Sequence, residues 1–221
     1  MGDPLYAAIA LDFTHVYYNG NDVLSQVFAW TSLAPHALLV VYATQIISRR
    51  EAETILLLAG QLGCELVNKY LKNLIRQERP RFGQGYGMPS AHAQFMCYYA
   101  TYICLWMFIR VRHFSTHKKV LRAVGLVSMA AIVSYSRVYL LYHSGYQVVA
   151  GAAIGIIVGA GWFIVVVLLR DLGIVDLLLD TYPARWFYIK DSAGEKASFV
   201  RDEYAEWRRM RMKMKLLVKA E

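Results

Sequence analysis

From Leu24 to Ser48 the chain runs without a single Lys, Arg, Asp or Glu, and Arg49-Arg50 then stop it. A helix needs about 20 apolar residues to cross the hydrocarbon core, so this run is long enough to span. Gly145 to Leu169 repeats the feature, ending at Arg170. Within lipid every backbone N–H and C=O must be satisfied inside the segment, which leaves helices as the form such runs can take. Composition agrees: 57% of the 221 residues are hydrophobic, mean hydropathy is +0.32, and 18% are charged. A soluble domain carries about a quarter charged residues. The chain reads as an all-α integral membrane protein.

Three further segments complete a bundle of about five transmembrane helices. Thr54 to Leu71 contains Gln61, Glu65, Asn68 and Lys69, which must face protein or water rather than lipid. Ser90 to Ile109 is rich in aromatics, Arg110 to Arg122 reads as a basic loop, and Ala123 to Tyr142 is the fourth span. Pro35 is expected to kink the first span. Gly151, Gly155 and Gly159 form a small-residue stripe that reads as helix packing. Cys64, Cys97 and Cys104 lie in apolar segments without CxxC spacing and read as reduced packing residues. The chain divides into an outer N-terminal segment (1–23), the bundle (24–171), and a short interfacial helix followed by a basic tail (172–221). The first of these has no Lys or Arg and so lacks the basic region of a signal peptide.

Ionisable groups at membrane depth are costly and mark functional sites. Here they gather in two islands: Lys72 to His92, and Ser136-Arg137 through His143 to Gln147. With the N-terminus outside, six of the 24 Lys and Arg residues lie in or beside the islands: Lys69, Lys72, Arg76, Arg79, Arg81 and Arg137. All the others fall on the inner side. The positive-inside rule then places the tail in the cytoplasm and both islands on the opposite face, where they can form one site. The net charge of +8 is thus an orientation signal and not a nucleic-acid footprint.

Lys72, six residues, Arg79-Pro80; then Pro89-Ser90-x-His92; then Ser136-Arg137, five residues, His143: this order resembles the three-part signature of the type 2 phosphatidic acid phosphatase superfamily, the fold shared with haloperoxidases. Within it the wording is nearest to the dolichyldiphosphatases, in YGMPSAHAQFM (Tyr86 to Met96), SYSRVYLLYH (Ser134 to His143), and FYIKDS and EYAEW in the tail. The resemblance implies hydrolysis of dolichyl diphosphate to dolichyl phosphate and inorganic phosphate at the lumenal face of the endoplasmic reticulum, returning the lipid carrier to protein N-glycosylation. It implies a polyprenyl diphosphate lipid as the partner and no cofactor. It also implies that His143 attacks phosphorus to give a phosphohistidine, while His92 protonates the leaving oxygen and then activates water.

A transferring phosphoryl group needs positive charge around it, from a metal or from an Arg/Lys clamp. No carboxylate or His cluster here has metal-ligand spacing, so Lys72, Arg79 and Arg137 are assigned to the phosphoryl oxygens, with the Ser90 hydroxyl or amide as a further donor. Most superfamily members place Asp four residues after the nucleophilic His, where this chain has Gln147, and Gly where it has Ala91. One helical turn on, the Gln147 carbonyl can still accept the imidazole N–H and fix its tautomer. Glu65 either pairs with Lys69 or orients Lys72. His36 reads as structural, and His113 and His117 as loop residues. Two other readings stand beside the main one: a phosphatase for other isoprenoid diphosphates or phosphatidate-like lipids, and an inactive lipid-binding protein on the same bundle.

Overall fold

Glycines at four-residue spacing set the central contact. The computed structural model describes residues 8–11, 16–111, 114–191 and 199–218. In it, α4 (Ala91–Leu105) lies along α6 (Gly145–Asp171), with Gly151, Gly155 and Gly159 turned toward α4. A Cβ on Gly151 would stand 2.5 Å from the Ser90 carbonyl oxygen, and one on Gly159 would stand 2.9 Å from that of Tyr98. On Gly155 it would meet the Gln94 carbonyl oxygen. Backbone meets backbone at successive turns, which small residues alone permit.

Around α4 stand α3 (Ala52–Ile75), α5 (Thr116–Tyr139) and, more lightly, α2 (Ala34–Arg49). The aromatic core between them must satisfy its polar tips. Tyr98 donates its hydroxyl to the Leu57 carbonyl at 3.0 Å, and the Trp162 indole N–H donates to the Leu56 carbonyl at 2.8 Å. The polar face of α3 is buried in the same way. Asn68 Nδ2 donates to Gln94 Oε1 at 2.7 Å, and Gln94 Nε2 donates to the Cys64 carbonyl at 2.7 Å. Gln61 and Asn68 are buried while Lys69 is exposed, so protein shelters part of that face.

Three helical stretches among the described residues are long and apolar enough to cross a membrane: Val23–Arg49, Thr116–Tyr139 and Gly145–Asp171. The other two expected spans fall short, α3 by its polar residues and α4 by its length of 15 residues, although a π-helical turn (Trp106–Arg110) extends α4. The first span is also divided, at Ser32–Leu33, into α1 (Val23–Thr31) and α2. Pro35 sits in the first turn of α2 and cannot donate to the Thr31 carbonyl, so the interruption falls upstream of the proline.

Elsewhere the chain is more ordered than its polarity suggests. Helix α5 begins at Thr116, inside the segment read as a basic loop, and takes His117 with it; His113 lies outside the described residues. The tail contains α7 (Ile174–Leu179), α8 (Tyr182–Trp186) and α9 (Phe199–Val218). At the N-terminus, β1 (Ala8–Leu11) and β2 (Val16–Asn19) pair antiparallel with Ala8 opposite Asn19, a small departure from an all-helical chain.

The far end of α6 is held by ions. Arg170 contacts Glu53 Oε2 at 2.6 Å and both oxygens of Asp191 at 2.9 and 3.1 Å, while the other Glu53 oxygen accepts the Tyr102 hydroxyl at 2.6 Å. Lys190 exchanges backbone hydrogen bonds with Arg50 and Ala52, which tie the tail to the start of α3.

The glycine contact predicts opposite signs for one substitution at two places. Gly155→Ala forces α4 and α6 apart and is expected to destabilise by about 1–3 kcal/mol. Gly161→Ala, facing open space, should be neutral or stabilise by up to about 1 kcal/mol. Thermal unfolding in detergent checks both, and equal midpoints would remove the packing role of Gly155.

Candidate active site

Helices α4 and α6 start side by side. The Ser90 N–H donates to the Gln147 carbonyl at 3.1 Å, so the first turn of α4, carrying His92, rests on the first turn of α6. Two further segments close around them. One is the turn after α5, where Leu141 takes a left-handed φ of 58° and the Tyr142 and His143 N–H groups both donate to the Arg137 carbonyl, at 3.0 and 3.1 Å. That fold-back brings His143 toward Arg137. The other is the loop after α3, where Gly83 and Gly85 have φ of 97° and 70° and the Gly85 carbonyl accepts from Arg79 Nε at 3.2 Å.

The hydrogen bonds of His143 fix its tautomer. Arg79 Nη1 lies 3.2 Å from His143 Nε2, and guanidinium can only donate, so Nε2 presents its lone pair. Nδ1 then carries the proton and donates to Gln147 Oε1 at 3.3 Å. The amide is fixed in turn: Gln147 Oε1 also accepts the Ser144 N–H at 3.2 Å, and Gln147 Nε2 donates to the Glu78 carbonyl at 2.9 Å. Gly87 leaves room for this amide, since a Cβ there would stand 2.9 Å from both of its polar atoms. Burial, helped by Arg79 and Arg137, holds the His143 pKa down at about 3. A lowered pKa favours the neutral imidazole at neutral pH.

The residues named from sequence come together. Ser90, Arg137, His143 and Gln147 are buried, and Lys72, Arg79 and His92 are half-buried. Lys72 has Arg79, Glu65 and Arg137 as electrostatic neighbours; His92 has Arg137, His143, His36 and Lys72. Burial also holds the Arg79 guanidinium below its usual range, an effect that Tyr142 opposes. Arg137 Nε and Nη1 and the Ser90 hydroxyl are buried without a hydrogen-bond partner. Unpaired buried donors cost about 1–3 kcal/mol each, and an anion's oxygens would satisfy them. Glu65 makes no salt bridge with Lys69 or Lys72 among the described residues, so the local ion pair is not the arrangement seen.

Two neighbours carried no sequence signal strong enough to single them out. The Tyr142 ring lies 4.0 Å from the Arg137 guanidinium carbon, and the only hint was its place beside His143. The His36 ring stands 6.4 Å from that of His92, reached from α2 and outside every motif.

Residues 53–171, which contain Glu65 through Gln147, match the sequence model of the PAP2 superfamily. The chain is 34% identical to a putative dolichyldiphosphatase of Neurospora crassa, covering 89% of this chain and 90% of that one. It is 35% identical to a dolichyldiphosphatase of Saccharomyces cerevisiae, covering 91% and 89%. Against human dolichyldiphosphatase 1 the identity is 37% over 68% of each chain. Among solved structures, a PAP2-type phosphatidylglycerolphosphate phosphatase from Bacillus subtilis superposes with a TM-score of 0.55 at 23% identity, over 63% of this chain and 74% of that one, and so shares the fold. The helical membrane bundle, the family match and relatives alike over nine tenths of their length lead to one assignment: the chain belongs to the PAP2 superfamily.

Proposed function

We propose that the protein hydrolyses dolichyl diphosphate to dolichyl phosphate and inorganic phosphate. The observation that carries this is a neutral imidazole, His143, with its Nε2 lone pair turned to Arg79 and its N–H turned to Gln147. The names of relatives similar over most of the chain supply the substrate.

In this reading Lys72, Arg79, Arg137 and Ser90 take the oxygens of the terminal phosphoryl group, Arg79 moving from His143 to the substrate. His143 Nε2 attacks the terminal phosphorus. The bond to the bridging oxygen breaks, its electron pair stays on dolichyl phosphate, and His92 supplies a proton to that oxygen. His92 then takes a proton from water, whose oxygen attacks phosphorus; the N–P bond breaks, its pair returns to Nε2, and phosphate leaves. Splitting one displacement into two is the gain from covalent catalysis. The positive charge comes from side chains, and the reaction is proposed to be metal-independent. Among the described residues no three His, Cys, Asp or Glu side chains are grouped to hold an ion.

Gln147 orients His143 without adding charge. A lipid phosphate is an easier leaving group than an alkoxide, so a less activated nucleophile suffices. Glu65 is proposed to act one step back, through the attraction of its charge for Lys72 rather than by direct contact. Positive-inside asymmetry supports a site facing away from the cytoplasm and a cytoplasmic C-terminus; in this reading the outer face is the lumen of the endoplasmic reticulum, and the product returns the lipid carrier to N-glycosylation.

Phosphate release from dolichyl diphosphate by purified protein in detergent should survive EDTA. It should vanish in His143→Ala and fall about 10²–10⁴-fold in His92→Ala. Release that stops with EDTA, or that is indifferent to His143, would overturn the mechanism. Loss of one neutral hydrogen bond is worth about 0.5–1.5 kcal/mol, so Gln147→Leu should lose up to about tenfold in kcat while Gln147→Asp keeps substantial activity. A Leu variant as fast as wild type would remove the orienting role.

A further inference from the structure

We infer that Tyr142 is a positioning residue for Arg137, and that the N-terminal hairpin keeps it in place; this rests on the reading of the site as a phosphoryl clamp. Arg137 has no carboxylate partner among the described residues, and its Nε and Nη1 are unpaired. What lies against it is the Tyr142 ring, with the guanidinium carbon 4.0 Å from the ring centre. A carboxylate would orient the guanidinium but also occupy its N–H edges and cancel its charge. An aromatic ring attracts it through the π system and leaves the in-plane N–H groups available for phosphoryl oxygens.

Tyr142 is itself held from outside the bundle. Its hydroxyl accepts the Tyr17 backbone N–H at 2.8 Å, from strand β2. Its ring packs against Phe82 at 5.9 Å, and Phe82 stacks on Tyr17 at 5.5 Å. The Phe82 N–H donates to the Leu141 carbonyl at 3.3 Å, and Val16, Ala29 and Leu140 bury the group. Phe82 stands in the same loop as Arg79. The hairpin, the Arg79 loop and the turn bearing His143 are therefore stacked through Tyr142, and the direction of Arg137 depends on that stack. Strand β2 thereby takes part in the site without contributing a side chain to the reaction.

Two readouts on the purified full chain test this: KM and kcat for dolichyl diphosphate, and affinity for orthovanadate, a phosphate mimic, followed by thermal shift. Tyr142→Leu removes the ring and should raise KM and the vanadate Kd together by about tenfold, the scale of a desolvated cation–π contact. Tyr142→Phe keeps the ring but loses the hydrogen bond to β2, and should fall between wild type and Tyr142→Leu; a Phe variant equal to wild type would remove the part played by the hairpin bond. A purely structural role would lower the active fraction, and with it the apparent kcat, while leaving KM and vanadate affinity unchanged; that result overturns the inference. If Tyr142→Leu does not accumulate, Tyr142→Met carries the same expectation. Vanadate binding does not depend on which lipid is cleaved. Wild type that binds vanadate but spares dolichyl diphosphate overturns the proposed substrate alone, and wild type with no vanadate affinity overturns both readings.

Discussion

Backbone contact between α4 and α6 places everything else. The two histidines belong to different segments, and their separation is fixed only because the Ser90 carbonyl rests on Gly151 while the Ser90 N–H is tied to the Gln147 carbonyl. Two helix N-termini consequently open at one point. Each brings the positive end of its macrodipole, which favours an anion there before any side chain is counted. A side chain at residue 151 would separate His92 from His143 by moving whole helices.

Gathering Lys72, Arg79 and Arg137 in a sheltered place is electrostatically costly, and how the cost is contained explains the oddities of the site. Arg79 leans on a backbone carbonyl and on an imidazole lone pair; Arg137 leans on a ring. None of these supports is an anion. A neutral glutamine beside His143 continues the pattern. The three cations are thus left without a salt bridge among the described residues.

Much of this was readable in the chain, for a physical reason. Charged and histidine residues are rare in apolar segments, so Lys72, Arg79, His92, Arg137 and His143 stood out by position, and the order of the two islands put them on one face. The glycine stripe was readable because spacing of four is the spacing of one helix face. What hydropathy could not reveal were features made by partners. Pro35 signalled the break in the first span, and only its place upstream, at Ser32–Leu33, was not legible. Helix α9 and the start of α5 are polar enough to pass for loops, and strands of four residues are too short to show alternation. The Glu78 carbonyl that fixes Gln147 has no signature at all, since every residue carries one.

The ion cluster at the far end of α6 decides where the folded unit can be cut. Arg170 reaches back to Glu53 and onward to Asp191, and Lys190 is hydrogen-bonded to the start of α3. A chain shortened at the end of α6 would keep every residue of the site and still lose half of the carboxylate set that holds Arg170. The shortest chain that retains both carboxylates runs through Asp191, so a truncation meant to remove only the basic helix α9 belongs beyond that residue.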